Sequence, residues 1–218
     1  MKSTATDSQK TASILLDIGS VLFSRRQPFK FDSGILSPVY VDNRLLISYP
    51  KEREVILGLL IKRIKEIGIP DVVAGVATAG IPHAAFIAQK LNIPMVFVRA
   101  KPKDHGRGNQ VEGIIKKGQK VLVVEDLIST GGSSARVVEA LRNIGAEVTE
   151  VLAIYSHNLK EAQENFKKAK VKFSFLTSTQ EVAKVAKEKG LLLDGQIETI
   201  IEWTKDPKNW GKKMGFEK

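Results

Sequence analysis

Glu125 and Asp126 are adjacent carboxylates directly after Val121-Leu-Val-Val124, a run in which three of four residues are β-branched. Such a run reads as a strand buried on both faces, and two acids at its end are costly unless they have a task. Leu127-Ile-Ser-Thr-Gly-Gly-Ser133 follows at once, small, hydroxylated and glycine-rich. Ala135, Val138, Leu141 and Ile144 then recur at helical spacing, and Gly145 can close the helix. The order is buried strand, acidic pair, small-residue turn, helix.

A turn feeding a helix N-terminus offers unpaired backbone N–H groups and the positive end of the helix dipole, which suits a phosphate. Gly131 and Gly132 admit close approach of an anion, and Ser129, Thr130 and Ser133 add hydroxyl donors. Carboxylates repel phosphate, so Glu125 and Asp126 suit sugar hydroxyls or a hard cation. A ribose bearing a 5-phosphate satisfies both halves. No Gly-Lys-Ser/Thr follows, which argues against a Walker-type nucleotide loop.

Two further stretches carry the same logic. Val72-Val-Ala-Gly-Val76 is a second buried strand, ending in Ala77-Thr-Ala-Gly-Ile-Pro82 and a helix through Ala84, Ala85, Ile87, Ala88 and Leu91. Gly75 and Gly80 favour close backbone approach, so a second phosphate site is expected at Thr78, Ala79 and Gly80. Pro94-Met-Val-Phe-Val98 is a third strand. Beyond it, 99–113 holds Pro102, Gly106, Gly108 and Gly113 among Arg99, Lys101, Lys103, His105 and Arg107. Long ordered loops are usually functional, and this one is expected to be a mobile loop with cationic cargo.

The rest of the chain must position these turns. Residues 8–23 carry Ile14, Leu15, Ile18, Val21 and Leu22 and predict an amphipathic helix ending in a short apolar run. Phe29-Lys-Phe31, a turn at Asp32-Ser-Gly34, and Val39-Tyr-Val41 predict a hairpin. So small a unit buries little alone and must lie on the main body as a hood over about 20–47. Pro50 opens a helix that closes at Gly68. Glu147 to Ile154 and Val171 to Phe175 are further strands, and 160–169 and 178–189 are helices, the second with a Ser178/Glu181 capping box. This alternation predicts an α/β fold, with a central mostly parallel sheet and helices on both faces. The tail around Trp203 and Trp210 is expected to dock on its own domain.

Composition narrows the partners. The chain has 218 residues, enough for one domain with a substantial core. It has no cysteine, which excludes disulfides and thiolate metal sites. Residues 1–12 are polar and no apolar run approaches membrane-spanning length, so the expected location is cytoplasmic with no membrane partner. The net charge of +10, from 34 basic and 24 acidic residues, points to polyanionic partners. Basic residues crowd 99–120, which favours a substrate with several phosphates over nucleic acid.

Val123-Val-Glu-Asp-Leu-Ile-Ser-Thr-Gly-Gly-Ser133 resembles the phosphoribosyl-diphosphate (PRPP) signature of type I phosphoribosyltransferases, with Glu125 where many relatives have Asp. Phe31-Asp-Ser-Gly-Ile-Leu-Ser-Pro-Val-Tyr-Val-Asp-Asn-Arg-Leu45 resembles the N-terminal signature of the orotate phosphoribosyltransferase family, and Arg99 with Lys103-Asp-His-Gly106 its catalytic loop. The resemblance implies one type I phosphoribosyltransferase-like domain over 1–218 and transfer of ribose 5-phosphate from PRPP to orotate, giving orotidine 5′-monophosphate and diphosphate. It implies catalytic roles for Arg99, Lys101, Lys103 and His105, and PRPP binding by 125–133 and Thr78, Ala79 and Gly80, the latter turn holding the diphosphate. Orotate would meet Ser129, Tyr40 and Lys30. Mg²⁺ would be held by PRPP, aided by Glu125 and Asp126, with no direct side-chain ligation expected. A homodimer is implied, the loop of one chain closing over its neighbour's site.

The chain departs from the family pattern in four places. Asp32 stands where some relatives have a substrate-contacting lysine, leaving Lys30 as the stand-in. Ala79 replaces a lysine in the diphosphate turn. Ala100 replaces a lysine in the catalytic loop, with Lys101 adjacent. An arginine that some relatives use on the base has no match in Tyr155-Ser-His-Asn-Leu159, so base recognition must differ, and His157 reads as structural or solvent-facing. The rival readings are a phosphoribosyltransferase for another base and a PRPP-sensing regulator that binds nucleic acid. Neither a helix-turn-helix nor a zinc site is evident, which argues against a nucleic-acid partner.

Overall fold

The computed structural model describes residues 5–24, 26–31, 34–99 and 110–217. The strands are β1 (Val21–Phe23), β2 (Phe29–Lys30), β3 (Leu36–Ser37), β4 (Val39–Val41), β5 (Val72–Val76), β6 (Met95–Val98), β7 (Val111–Glu112), β8 (Lys120–Ile128), β9 (Glu147–Ser156) and β10 (Lys172–Ser178). The helices are α1 (Asp7–Asp17), α2 (Pro50–Ile67), α3 (Gly80–Leu91), α4 (Gly132–Asn143), α5 (Lys160–Lys168), α6 (Thr179–Glu188), α7 (Asp194–Lys205) and α8 (Pro207–Lys213). A six-stranded sheet runs β10-β9-β8-β5-β6-β7, parallel except for β7.

Alternation along the strands builds two apolar layers, one on each face. Val73, Leu122, Val124, Leu152 and Ile154 meet Leu15 of α1, Ile56 and Leu60 of α2, Ile87 of α3 and Val182 of α6. Their neighbours Val72, Ala74, Val121, Val123, Val151 and Ala153 meet Val137, Val138 and Leu141 of α4 and Phe166 of α5. The expected α/β sheet with helices on both faces is what the chain forms.

Three local expectations differ. The predicted 8–23 helix stops at Asp17, because Gly19 adopts a positive φ of 71° and Val21–Phe23 pairs instead as a strand with β4. The predicted hairpin of 29–31 with 39–41 is not formed. Phe29 and Lys30 pair with Ser37 and Leu36, while Val39–Val41 pairs with β1. Pro38 divides the run, and the pieces on either side of it take different partners. Third, β8 does not end before the acidic pair: it continues through Glu125 and Asp126 to Ile128, because β9 extends to Ser156 and supplies partners.

The tail docks as expected, in the form of two helices. Trp203 is fully buried and its indole N–H donates to the Leu36 carbonyl at 2.9 Å. Trp210 is also buried, and its ring lies 5.7 Å from that of Phe216. The C-terminal helices therefore buttress the hood from below. Replacing Trp203 with Ala removes a large core side chain and orphans the Leu36 carbonyl. We expect a loss of roughly 3–5 kcal/mol in chemical denaturation. A loss below about 1 kcal/mol would contradict the buttress.

Candidate active site

The carboxyl edge of the parallel sheet gathers the turns that the sequence singles out, as open α/β sheets do with their ligand sites. Strand β5 ends in the 77–79 turn, β6 in Arg99, β8 in the 129–131 turn and β9 in His157. Ala77 N–H donates to the Val98 carbonyl and His157 N–H to the Ile128 carbonyl, locking neighbouring strand ends together.

Glu125 is buried, and Asp126 beside it is partly exposed. Burial, and then the adjacent Asp126 charge, push the Glu125 carboxyl well above the usual carboxylate range. Burial likewise raises Asp126, opposed by its hydrogen bonds to Glu125 and to the Leu127 backbone. Ser134 in the first turn of α4 donates its hydroxyl to Glu125 Oε2 at 3.1 Å. The hood holds the pair from the other side. Asn43 Nδ2 donates to the Asp126 carbonyl at 2.7 Å, and Ser20 donates to Asn43 Oδ1 at 2.9 Å. Asn43, Ser134 and Ser20 were not singled out by sequence. Asn43 lies inside the N-terminal signature and Ser134 directly follows the Gly/Ser turn, so the signal was present without a task attached to it.

Both small-residue turns are shaped by close packing. A Cβ on Gly80 would fall 2.5 Å from the Val124 carbonyl oxygen, so the glycine lets α3 begin directly on β8. The close approach expected there is thus at least partly one of helix to strand. Gly131, at φ 73°, caps α4, and a Cβ on it would fall 2.8 Å from the Phe166 ring. Asn165 Nδ2 donates to the Thr130 carbonyl at 2.9 Å, fixing the turn to α5. Neither α3 nor α4 has a side-chain cap at its N-terminus, leaving backbone N–H groups at both turns for a ligand. Within the turn, Ser133 is exposed, whereas the Ile128 side chain is core and only its backbone faces the edge.

A cleft of about 950 Å³ opens between the hood and this edge. It brings together Lys30, Tyr40, Leu127, Ser129 and Thr130, the three expected base contacts among them. It is also lined by His157 and by Lys208 and Glu217 of the tail, which sequence did not place there. Lys208 pairs with Glu161 at 3.0 Å. His157 is buried, so it is not the solvent-facing residue that was one of the two readings. Arg99 pairs with Glu112 at 3.1 Å, and its backbone N–H donates to the Gln110 carbonyl, so the two stems of the 99–113 loop meet. Lys101, Lys103 and His105 lie outside the described residues, as does Asp32.

Comparison with known proteins agrees with this geometry. The family model described as a phosphoribosyl transferase domain matches residues 49–188. The orotate phosphoribosyltransferase of Listeria monocytogenes serotype 4b (strain F2365) is 48% identical over 205 residues, covering 94% of this chain and 98% of that one. The orotate phosphoribosyltransferase of Coxiella burnetii is 45% identical over 200 residues, covering 91% and 96%. Among solved structures, the orotate phosphoribosyltransferase of Aeropyrum pernix superposes with a TM-score of 0.70 at 31% identity, covering 84% of this chain and 99% of that one.

The acidic pair makes a pH prediction. A carboxyl raised in the folded state holds its proton there after the unfolded chain has released it. Stability therefore falls as pH rises from the ordinary glutamate value of 4.5 towards the folded value. Glu125→Gln abolishes that dependence. Its melting temperature is expected to exceed the parent's at pH 8 by about 2–4 °C for each ~1 kcal/mol recovered, with the gain vanishing below about pH 4. Parallel profiles for the two proteins would refute the assignment.

Proposed function

The chain belongs to the phosphoribosyltransferase family, among the orotate phosphoribosyltransferases of pyrimidine biosynthesis, and on that premise we propose how its residues divide the work. One observation carries the proposal: Lys30 and Tyr40 of the hood meet Ser129 of the Gly/Ser turn in one cleft, beside the strand end that bears Glu125 and Asp126. We treat the whole chain as one catalytic unit, because the hood, the sheet edge and the tail all line that cleft.

A ring nitrogen of orotate displaces diphosphate from C1 of the ribose. Charge separates in such a displacement, the sugar becoming cationic as in glycoside chemistry while the departing diphosphate carries high negative charge. The turn formed by Leu127, Ile128, Ser129, Thr130, Gly131, Gly132 and Ser133 anchors the 5-phosphate through backbone N–H groups and hydroxyls, giving binding energy remote from the reacting atom. Glu125 and Asp126 hold the ribose hydroxyls and face the developing cation. Backbone N–H groups of Thr78, Ala79 and Gly80 receive the diphosphate. Arg99, Lys101, Lys103 and His105 supply the positive charge that stabilises it as it leaves. Lys30, Tyr40 and Ser129 contact the base.

Mg²⁺ is the cofactor in this reading. The paired carboxyl oxygens are hard donors of the kind it takes, and, among the described residues, no group of three or more His, Cys, Asp or Glu could hold an ion by itself. The substrate's oxygens would complete its shell, with Glu125 and Asp126 assisting, and when bound it offsets negative charge on the diphosphate. A homodimer with sites completed across the pair, acting in the cytoplasm, belongs to the same reading. Among the described residues no helix is long and apolar enough to cross a membrane.

Loss of orotate absorbance in the presence of PRPP and Mg²⁺ is the direct test, and turnover of uracil or hypoxanthine without orotate would reject it. Lys103→Ala is expected to lower kcat about 10²-fold or more while changing the KM for PRPP little, because its charge matters most as diphosphate departs. Equal loss in both would make Lys103 a ground-state anchor instead. Asp126→Asn is expected to raise the KM for PRPP or lower kcat without lowering the melting temperature. Unchanged kinetics would remove its role at the ribose.

A further inference from the structure

His157 lies in the wall of the base cleft with one ring nitrogen committed inside the protein and the other without a protein partner among the described residues. Its backbone is fixed: its N–H donates to the Ile128 carbonyl at 3.0 Å, and the next N–H, of Asn158, donates to Ser156 Oγ at 2.9 Å. Its ring is held among aromatics, stacked 6.1 Å from Phe31 and edge-on to Trp203 at 4.9 Å and Tyr155 at 5.5 Å. A side chain held this firmly at the rim of a substrate cleft is built to aim an atom.

Which atom it aims follows from the hydrogen-bond chain behind it. Tyr155 is fully buried, burial keeps its phenol protonated, and its hydroxyl donates to Thr179 Oγ1 at 3.0 Å. Thr179 Oγ1 also lies 2.8 Å from His157 Nδ1. Thr179 has one hydroxyl hydrogen and no other acceptor among the described residues, so were Nδ1 to donate as well, that buried hydrogen would be orphaned at a cost of about 1–3 kcal/mol. The satisfied arrangement runs from Tyr155 to Thr179 to Nδ1, which makes Nδ1 an acceptor and leaves the ring proton on Nε2. Burial lowers the His157 pKa to about 3, so the ring is neutral at physiological pH.

We propose that His157 is a base-reading residue: its Nε2–H donates to an exocyclic oxygen of the pyrimidine, and the Tyr155–Thr179 pair sets the tautomer that makes it a donor. This rests on the orotate reading above and deepens it. A neutral, directional donor distinguishes a carbonyl or carboxylate oxygen from an amino group at the same ring position, which would present hydrogens and leave Nε2–H unpaired. Positive charge for the orotate carboxylate then comes from elsewhere in the cleft, where Lys30 and Lys208 stand.

Steady-state kinetics with four variants and ¹⁵N NMR of the parent imidazole test this. His157→Phe keeps the ring but removes the donor, and is expected to raise the KM for orotate about tenfold while leaving the KM for PRPP within about twofold. His157→Gln restores an N–H donor and is expected to recover most of that loss. Thr179→Val releases the tautomer and is expected to raise the KM for orotate several-fold, whereas Thr179→Ser does not. In the parent protein, Nε2 is expected to be protonated and Nδ1 bare. An unchanged orotate KM in His157→Phe, equal losses for both substrates in His157→Gln, or a protonated Nδ1 would each overturn the proposal while leaving orotate turnover intact. Absence of orotate turnover by the parent protein would instead overturn the functional reading, and this inference with it.

Discussion

Strand β8 has a neighbour on each edge and an apolar layer on each face, so beyond its exposed first residue, Lys120, nothing polar in it can be solvated before its carboxyl end. That constraint organises the molecule. Val121 to Val124 are almost completely buried, and the next polar side chains after Lys120 are Glu125 and Asp126. Placing two carboxyl groups there is unfavourable in isolation, and the surroundings respond: Ser134 from the following helix engages Glu125, while Asn43 from the hood engages the backbone of Asp126. The elements that hold the acids are therefore the same ones that flank the ligand site. A buried acidic pair of this kind is costly to leave without partners.

The parts of the site legible in the sequence were those made of contiguous residues. The strand, the acidic pair and the Gly/Ser turn lie within a dozen positions, and local periodicity with glycine placement was enough to read them. The hood's existence was legible too, from short β-rich stretches. Its pairing was not, because Phe29–Lys30 and Val39–Val41 are each compatible with any neighbour, and the choice is made by where β1 emerges from α1. The end of β8 is not legible for a related reason: strand length depends on how far β9 runs alongside, a non-local quantity. His157 was the hardest case. Its neighbours in sequence are unremarkable polar residues, and its role depends on Thr179, Phe31 and Trp203, which come from three distant parts of the chain.

In the proposed reading the cleft divides its chemistry by region. Anion-binding capacity sits on the rigid carboxyl edge, in backbone N–H groups whose positions are fixed by Gly80 packing on Val124 and Gly131 packing on Phe166. In that reading, recognition of the base falls to the hood, the end of β9 and the tail, which line the cleft. A scaffold arranged this way can keep one phosphate grip and alter its choice of base by exchanging the residues around it. Two of the four departures from the family pattern, the lysine before Ser-Gly and the arginine after β9, fall on the base side of that division, whereas Ala79 and Ala100 replace lysines on the diphosphate side.

The hydrogen bond from Trp203 to Leu36 joins positions 167 residues apart in sequence. Its consequence concerns biogenesis. As the chain is synthesised from its N-terminus, the sheet from β5 to β9 can assemble while the hood still lacks the helix that supports it. On the proposed reading, the nascent polypeptide therefore gains its phosphate grip before α7 and α8 emerge to support the hood that faces the base.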